Sequence, residues 1–238
     1  MKLDILAFGA HPDDVELSCG GTLFKHASSG KKTGIIDLTM GELGSRGNAK
    51  IRLKEADAAK KVLNVSIREN LKLTDGFFVH DKKNILAIVK KIRQYQPDVV
   101  ICNAPFDRHP DHGRAANMVN DACFLSGLIK IKTSEKGKPQ PAFRPQAVYH
   151  YIQFKFIKPD FTVDISPYFE KKMEAIWCHA SQFYNPQKLK QPETFISKPN
   201  FMSAYVIKRS QEFGKLCGCK YAEGFIEAHA SEATEFLL

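Results

Sequence analysis

The sequence predicts an α/β fold, a Rossmann-like and mostly parallel sheet with helices on both faces. Short apolar runs alternate with helical patterns at a spacing typical of βαβ units. The chain has 238 residues, of which 43% are hydrophobic and 26% are charged, values that are ordinary for one large globular domain. Histidine and aspartate follow directly after two of the apolar runs, where parallel sheets bind ligands.

The first 63 residues supply two strand–helix units. Residues 3–8 are an apolar run that predicts a buried strand, and residues 15–29 predict a helix that stops at Gly30. A second β-branched run covers residues 33–38. It leads through the glycine-rich "GELGSRGN" loop to a helical stretch at residues 51–63.

A third helix and strand follow further along the chain. Apolar residues recur with the spacing i, i+3, i+4 and i+7, which predicts an amphipathic helix; they are Ile85, Ile88, Val89 and Ile92. Pro97 ends this helix, and the "DVVICNAP" run at residues 98–105 predicts another buried strand. Residues 113–127 are again helical in pattern.

The pattern is less regular beyond residue 133. The polar segment 133–145 holds three prolines and predicts a surface loop, while "AVYHYIQF" and "FTVDI" predict strands. A helical apolar face follows, formed by Phe169, Met173, Ile176 and Trp177. We expect residues 1–238 to form a single domain, in which the part from 133 to 238 completes the substrate pocket.

Charge and cysteine content bear on the compartment and the partners. The net charge of +9 is spread widely and accompanies no recognised nucleic-acid motif, so we expect a solvated surface and no nucleic-acid partner. Attraction of an anionic small substrate is the alternative interpretation of this charge. No apolar run approaches the length of a membrane helix, and the first residues lack the layout of a signal peptide. Six scattered cysteines without a CxxC pair indicate reduced thiols in the cytoplasm.

Two clusters of potential metal ligands follow predicted strands that should be neighbours in the sheet. The first cluster holds His11, Asp13 and Asp14, and the second holds His109, Asp111 and His112. Two histidines and a carboxylate are a common catalytic zinc set with a fourth position open to water, whose pKa falls toward roughly 7. A spare aspartate can act as general base, and a spare histidine can stabilise an oxyanion. The alternative is that these residues only cap helices and form turns.

Three motifs carry a resemblance that covers most of the chain. "AHPDD" near the start, "GELGSRG" after the second strand and "RHPDH" after a later strand resemble the LmbE/PIG-L family of zinc-dependent N-acetylglucosaminide de-N-acetylases. The segments "HASQFYNP" and "YAEGF" also resemble the bacillithiol biosynthesis deacetylases of that family.

The resemblance implies roles for individual residues. It implies that His11, Asp14 and His112 bind zinc, that Asp13 is the general base, and that His109 stabilises the tetrahedral oxyanion as an imidazolium. From its spacing, we expect the Asp111 carboxylate to orient His109.

Other positions bear on the substrate. Some family members have a tyrosine as an extra oxyanion donor where this chain has Asp107, which cannot take that role. Arg52, in "RLKEA", matches the family's substrate arginine. Three weaker candidates for substrate contacts are Arg46, Arg108 and Glu42, of which Arg46 is alternatively a solvated loop charge and Glu42 a loop cap. Arginine suits bidentate recognition of carboxylates.

These observations predict a zinc amidohydrolase that removes acetate from an N-acetylglucosamine conjugate, with N-acetylglucosaminyl malate as the expected substrate. The same chemistry on a mycothiol-type precursor, a chitooligosaccharide or a natural-product sugar stays open, as does a non-hydrolytic metal or sugar-binding protein. Loops 133–145 and 183–199 are expected to set acceptor specificity. Other divalent metals suit the site, and family analogy predicts a homo-oligomer, a trimer or hexamer.

Overall fold

A seven-stranded sheet organises the protein, whose computed structural model describes residues 1–184 and 192–228. The strands, in chain order, are β1 (Ile5–Gly9), β2 (Thr33–Thr39), β3 (Ile67–Leu73), β4 (Val99–Cys102), β5 (Ser134–Glu135), β6 (Lys138–Pro139), β7 (Ala147–Tyr151), β8 (Phe161–Asp164) and β9 (Ala222–Glu227). The order across the sheet is β3-β2-β1-β4-β7-β9-β8, and β5 and β6 form a separate hairpin. The first five strands of the sheet are parallel, and β9 runs antiparallel to both of its neighbours.

In the part of the chain that the structure describes, six α-helices surround this sheet, which confirms the predicted α/β class. They are α1 (Asp14–Ser28), α2 (Ala49–Val62), α3 (Lys82–Tyr95), α4 (Pro110–Ser126), α5 (Phe169–Trp177) and α6 (Lys208–Cys217). Asn48 and Asp81 cap α2 and α3 by accepting backbone N–H groups. Within the described ranges, no helix has both the length and the apolar character needed to cross a membrane.

The two faces of the sheet are covered by different helices. Helices α3 and α4 bury one face, and the predicted stripe of α3 is confirmed because Ile88, Val89 and Ile92 are buried there. Helices α1, α2 and α5 lie on the other face, where α5 contacts both α1 and α2. The apolar face predicted for α5 is correct for Met173 and Ile176 but wrong for Trp177, which is 47% exposed.

Several elements of the structure were not predicted from the sequence. Strand β3 has the sequence "IRENLKL" and lies half-buried at one edge of the sheet, so it lacks a continuous apolar run. Its Arg68 is held by tertiary ion pairs to Asp37 and Glu16. Strand β9 and helix α6 were not predicted either.

Helix α1 depends on a residue far away in the chain. Its helical path breaks at Cys19, and beyond the break the backbone N–H groups of Gly21 and Thr22 donate to the Glu223 carboxylate of β9 at 3.0 and 2.7 Å. The Lys172 ammonium binds the same carboxylate. Gly21 also lets α1 approach the segment that follows β8, because a Cβ at this position would lie 2.8 Å from Ile165 Cδ1.

The predicted surface loop 133–145 contains the β5–β6 hairpin. It connects the end of α4 to the start of β7, so it lies at the amino-terminal edge of the parallel strands. Arg93 of α3 anchors it through a 2.9 Å hydrogen bond to the Thr133 hydroxyl. The expectation that this loop sets acceptor specificity is therefore wrong, because ligand-type side chains gather at the opposite edge.

Candidate metal and catalytic site

Pairing between β1 and β4 brings the two predicted clusters together. The strands are parallel neighbours with Ala7 opposite Ile101, so their carboxyl ends lie side by side. The ring centroids of His11 and His109 are 4.6 Å apart, and those of His109 and His112 are 5.2 Å apart. Two loops separated by about a hundred residues thus form one site.

The Asp14 carboxylate lies between two imidazole rings. Its Oδ2 is 3.5 Å from His11 Nδ1, and its Oδ1 is 3.2 Å from His112 Nε2. Asn103 ties the loops together, since its side chain accepts from Ala10 N at 2.9 Å and donates to Asp14 Oδ2 at 3.1 Å. The three residues predicted as metal ligands therefore converge, and all three are buried.

The outer nitrogen of each of these rings faces a carboxylate. His112 Nδ1 lies 2.6 Å from Asp107 Oδ2, and His11 Nε2 lies 3.1 Å from Asp75 Oδ1 and 3.4 Å from Asp111 Oδ2. Histidines that bind metals typically donate their second N–H to a carboxylate in this way, which fixes the ring and its tautomer. The donor set thus fits a divalent metal.

Two groups of side chains among the described residues have ligand atoms within 4.8 Å of one another. One is His11, His109 and His112, and the other is His11, Asp75 and Asp111. In the second group the Asp75 carboxylate also accepts from Leu43 N and the Asp111 carboxylate from Gly76 N, contacts that suit supports of the His11 ring better than ligands. In the first group His109 is near enough to be an additional ligand.

Charge pairing controls the protonation of the ligand set. Burial would raise the pKa of Asp14, but the His112 and His11 rings outweigh it and hold that pKa well below its usual range. Burial likewise opposes a charge on His112, yet Asp14 and Asp107 raise its pKa to about 9. The carboxylates of Asp14 and Asp107 thus favour positive charge between them, and a bound metal ion would supply that charge in place of protons on the rings.

The Asp13 carboxylate lies beside the predicted ligands. It is the N-cap residue of α1, is 4% exposed, and its Oδ2 lies 3.2 Å from Arg52 Nη2. Burial raises the pKa of this carboxyl, and the Arg52 charge opposes that rise. Arg52 also donates to the carbonyls of Gly41 and Pro12, so its guanidinium braces the loop as well as lining the cavity.

His109 caps α4, and its ring lies against those of the two predicted histidine ligands. Its Nδ1 accepts the Asp111 backbone N–H at 3.2 Å, which leaves Nε2 as the nitrogen that carries a hydrogen. Burial and the nearby charged rings of His11 and His112 lower the pKa of His109 to about 4, but a bound metal ion would replace the protons on those two rings. The contact at Nδ1 is what favours a neutral ring that donates from Nε2, and the imidazolium form of His109 stays a prediction.

A cavity of about 480 Å³ opens above these side chains. Its wall contains the ligand set together with Asp13, Arg52 and His109, and its mouth includes Arg108, Phe154 and Phe195. The Arg108 guanidinium lies 5.1 Å from the centre of the Phe154 ring and 4.4 Å from that of Phe195. Part of the predicted specificity loop 183–199 thus reaches the cavity, while residues 185–191 lie outside the described chain, as does His229.

Three predicted residues have other roles. Arg46 is buried, and its guanidinium donates to the carbonyls of residues 181, 183 and 192, so it neither lines the cavity nor carries a solvated charge. Glu42 accepts Asp75 N at 2.9 Å and does not line the cavity either. The Asp111 carboxylate faces His11 and Arg114 rather than His109, because only its backbone N–H reaches the His109 ring.

Sequence patterns missed several residues of the site. Asp75 follows β3, a strand that was not predicted, so its approach to His11 had no signal. Asp107 was noted only as a departure from the family, yet it orients His112. The Gln153 amide donates to Asp14 Oδ1 at 2.7 Å from the end of β7, and a polar residue following the predicted strand "AVYHYIQF" was the available clue.

Comparison with known proteins agrees with this geometry. The family model described as PIG-L, GlcNAc-PI de-N-acetylase, matches residues 6–123. The chain is 32% identical to the uncharacterized deacetylase YaiS of Escherichia coli, over 74% of this chain and 90% of that protein. It is 29% identical to the diacetylchitobiose deacetylase of Thermococcus kodakarensis, over 92% and 81% of the respective chains.

A solved structure supports the same assignment. The conserved protein TT1542 from Thermus thermophilus superposes with a TM-score of 0.83 and 31% identity, over 95% of each chain. The level of identity and the coverage go beyond a shared architecture. The chain therefore belongs to the PIG-L family of deacetylases.

Proposed function

We propose that the protein is a zinc-dependent hydrolase that removes the N-acetyl group from an N-acetylglucosamine conjugate, and that the conjugate is N-acetylglucosaminyl malate. The observation that carries the proposal is the buried Asp13 carboxylate, held by Arg52 beside the set of His11, Asp14 and His112. Ligation alone does not require such a base, whereas amide hydrolysis does.

The metal would be held by His11, Asp14 and His112, the residues whose outer contacts orient them for it. A divalent ion there supplies Lewis acidity toward the amide carbonyl and the attacking water. Zinc suits two imidazoles and a carboxylate, although other divalent ions accept the same donors.

Asp13 takes the proton of the attacking water and later delivers it to the leaving amine. Its pKa is raised by burial, which makes it a stronger base than an exposed aspartate. Arg52 fixes the position of Oδ2, and its Nε has no partner within the described structure. That N–H is buried, so Arg52 acts in this proposal by holding Asp13, and its contact with the substrate stays a prediction.

His109 stabilises the developing oxyanion as a neutral donor. Its Nδ1 is occupied by the Asp111 N–H, so the Nε2 hydrogen is available to the carbonyl oxygen of the acetyl group. A preorganised donor of this kind contributes roughly 10²–10³-fold to the rate. The backbone contact, rather than a carboxylate, sets the tautomer.

Residues at the mouth of the cavity support the proposal that the substrate has an anionic aglycone. Arg108 is exposed and contacts Phe154 and Phe195 by cation–π stacking, so its N–H groups can turn toward a carboxylate. A relative named probable N-acetyl-alpha-D-glucosaminyl L-malate deacetylase 2, from Bacillus anthracis, is 26% identical over 75% of this chain. The aromatic rings would equally stack on a second sugar, so a chitooligosaccharide is the alternative that the mouth favours next.

The decisive experiment measures acetate and free amine after incubation of the zinc-loaded enzyme with a panel of substrates. The panel holds N-acetylglucosaminyl malate, diacetylchitobiose, a mycothiol-type precursor and N-acetylglucosamine. We expect the malate conjugate to have the highest kcat/KM. Preference for diacetylchitobiose would overturn the malate assignment, and failure to release acetate from every member would overturn the hydrolase.

A second assay, in which the enzyme is incubated with 4-oxalmesaconate, addresses a different reaction. The 4-oxalmesaconate hydratase of Pseudomonas putida is 28% identical over 74% of this chain, so a family member can carry out hydration. Consumption of 4-oxalmesaconate without acetate release from any amide would identify this chain as a hydratase instead.

A further inference from the structure

Two of the six cysteines form a pair on the surface. Cys19, Cys102 and Cys123 are buried, and Cys178 is half-buried without a neighbouring thiol among its recorded contacts. Cys217 is exposed, and its Sγ lies 3.3 Å from Cys219 Sγ. This separation is shorter than a typical contact between two sulfur atoms and longer than the bond of about 2.05 Å in a disulfide.

The end of α6 explains why the thiols meet. Cys217 is the last residue of α6, and Gly218 turns the chain with φ 71° and ψ 27°, a left-handed conformation that favours glycine. The Cys219 N–H then donates back to Gly214 O at 2.9 Å, which closes the turn and holds both side chains together. The open space beside Gly218 leaves room for the turn to adjust.

We propose that Cys217 and Cys219 form a reversible redox site, a dithiol that a small-molecule disulfide converts into an intramolecular disulfide. The site is separate from the proposed catalytic function, because neither residue lines the cavity. A disulfide across one intervening residue is strained, and strained or exposed disulfides are the labile ones that regulate proteins.

The two thiols take different parts in the exchange. Cys217 is the exposed thiol and attacks the small disulfide RSSR, forming a mixed disulfide and releasing RSH. Cys219 then attacks the Cys217 sulfur and expels the second RSH. The dithiol loses two electrons and two protons, and RSSR gains both. Burial, with the hydrogen bond to Cys217, raises the pKa of Cys219 to about 11, which disfavours Cys219 as the thiol that attacks RSSR first. Its attack on the Cys217 sulfur is favoured instead by the short distance between the two sulfur atoms.

The test is intact-mass spectrometry of the full chain after incubation with bis(2-hydroxyethyl) disulfide. We expect the wild-type mass to fall by two hydrogens and to return after dithiothreitol. Cys219→Ser should stop at one mercaptoethanol adduct, mapped to residue 217. Cys217→Ser should lose the two-hydrogen shift altogether.

Cys178→Ser is the matched control, since Cys178 is the one thiol outside the pair that is not fully buried. This variant should form the disulfide between Cys217 and Cys219 as the wild type does. A wild-type protein that keeps stable adducts at residue 217, or a Cys217→Ser protein that still loses two hydrogens, would overturn the proposal. This experiment does not measure acetate release, so its result can contradict the redox site without contradicting the proposed function, and the reverse also holds.

Discussion

The two loops that build the site differ sharply in exposure. Residues 10–14, after β1, are all buried and include two predicted ligands and the proposed base. The loop after β4 is open to solvent at several positions, with Phe106 64% exposed and Arg108 also exposed, before the chain turns inward at Asp111 and His112. One loop is part of the core, and the other forms a wall of the cavity.

The buried loop is therefore suited to catalysis, and the exposed loop is suited to substrate recognition. A buried loop whose carboxylates are held by Arg52, Asn103 and Gln153 keeps the proposed base and predicted ligands at fixed distances, as catalysis requires. An exposed loop can change side chains with little effect on folding, so it is suited to recognising different substrates. Substitutions in the first loop should therefore change turnover or metal content, and exposed substitutions in the second should change substrate binding.

The largest effect should come from removing a ligand. We expect His11→Ala to lose both stoichiometric zinc and measurable acetate release, because the buried loop then offers only Asp14 to the metal. Metal analysis of the purified protein checks this, with His80→Ala on the surface as control. Full zinc in His11→Ala would show that the ligand set is wrong.

Asp13→Asn should keep zinc and lose about 10²–10⁴-fold in kcat, since asparagine is similar in size but cannot accept the proton. KM should change little. The control is Asp81→Asn, which alters another helix cap without approaching the cavity. Near-normal turnover in a zinc-loaded Asp13→Asn protein would contradict the role of this carboxylate and break the distinction between the loops.

Asp107→Asn tests the part of the second loop that points inward. We expect zinc affinity to fall about 10–100-fold, because the Asp107 carboxylate no longer orients His112. Asp121→Asn is the matched control, since it removes a carboxylate 2.8 Å from His80 on the surface. Competition with a chelator measures both variants, and equal affinities would mean that Asp107 only shapes the loop.

The smallest effect should come from the outermost residue. Arg108→Ala should raise KM for the malate conjugate about fivefold, the equivalent of about 1 kcal/mol for an exposed ion pair, with kcat unchanged. Arg52→Ala should lower kcat as well, because Arg52 holds Asp13. If both arginines changed only KM, the contrast between the buried and exposed loops would fail.

The sequence could predict the contrast only in part. The ligand clusters stood directly after apolar runs, and parallel pairing of β1 with β4 was enough to bring them together. Periodicity also found α3 and its buried face. These features depend on local patterns that the sheet then aligns.

The remaining contacts depend on tertiary partners. Strand β3 is stabilised by side chains such as Arg68, whose partners come from β2 and α1, so neither the strand nor Asp75 beyond it had a local signal. Arg46 looked like a substrate arginine, but the carbonyls that bind it belong to a segment more than 130 residues away. Sequence spacing cannot identify such partners.

The contact between the Glu223 carboxylate and α1 bears on the order in which the chain folds. The predicted metal ligands, from His11 to His112, are translated long before Glu223. The Glu223 carboxylate, which binds the N–H groups of Gly21 and Thr22, lies about 200 positions after them. Contacts of such long sequence separation form late and slow folding. Helix α1, which begins with the predicted ligand Asp14, therefore reaches its final form only after β9 has been translated.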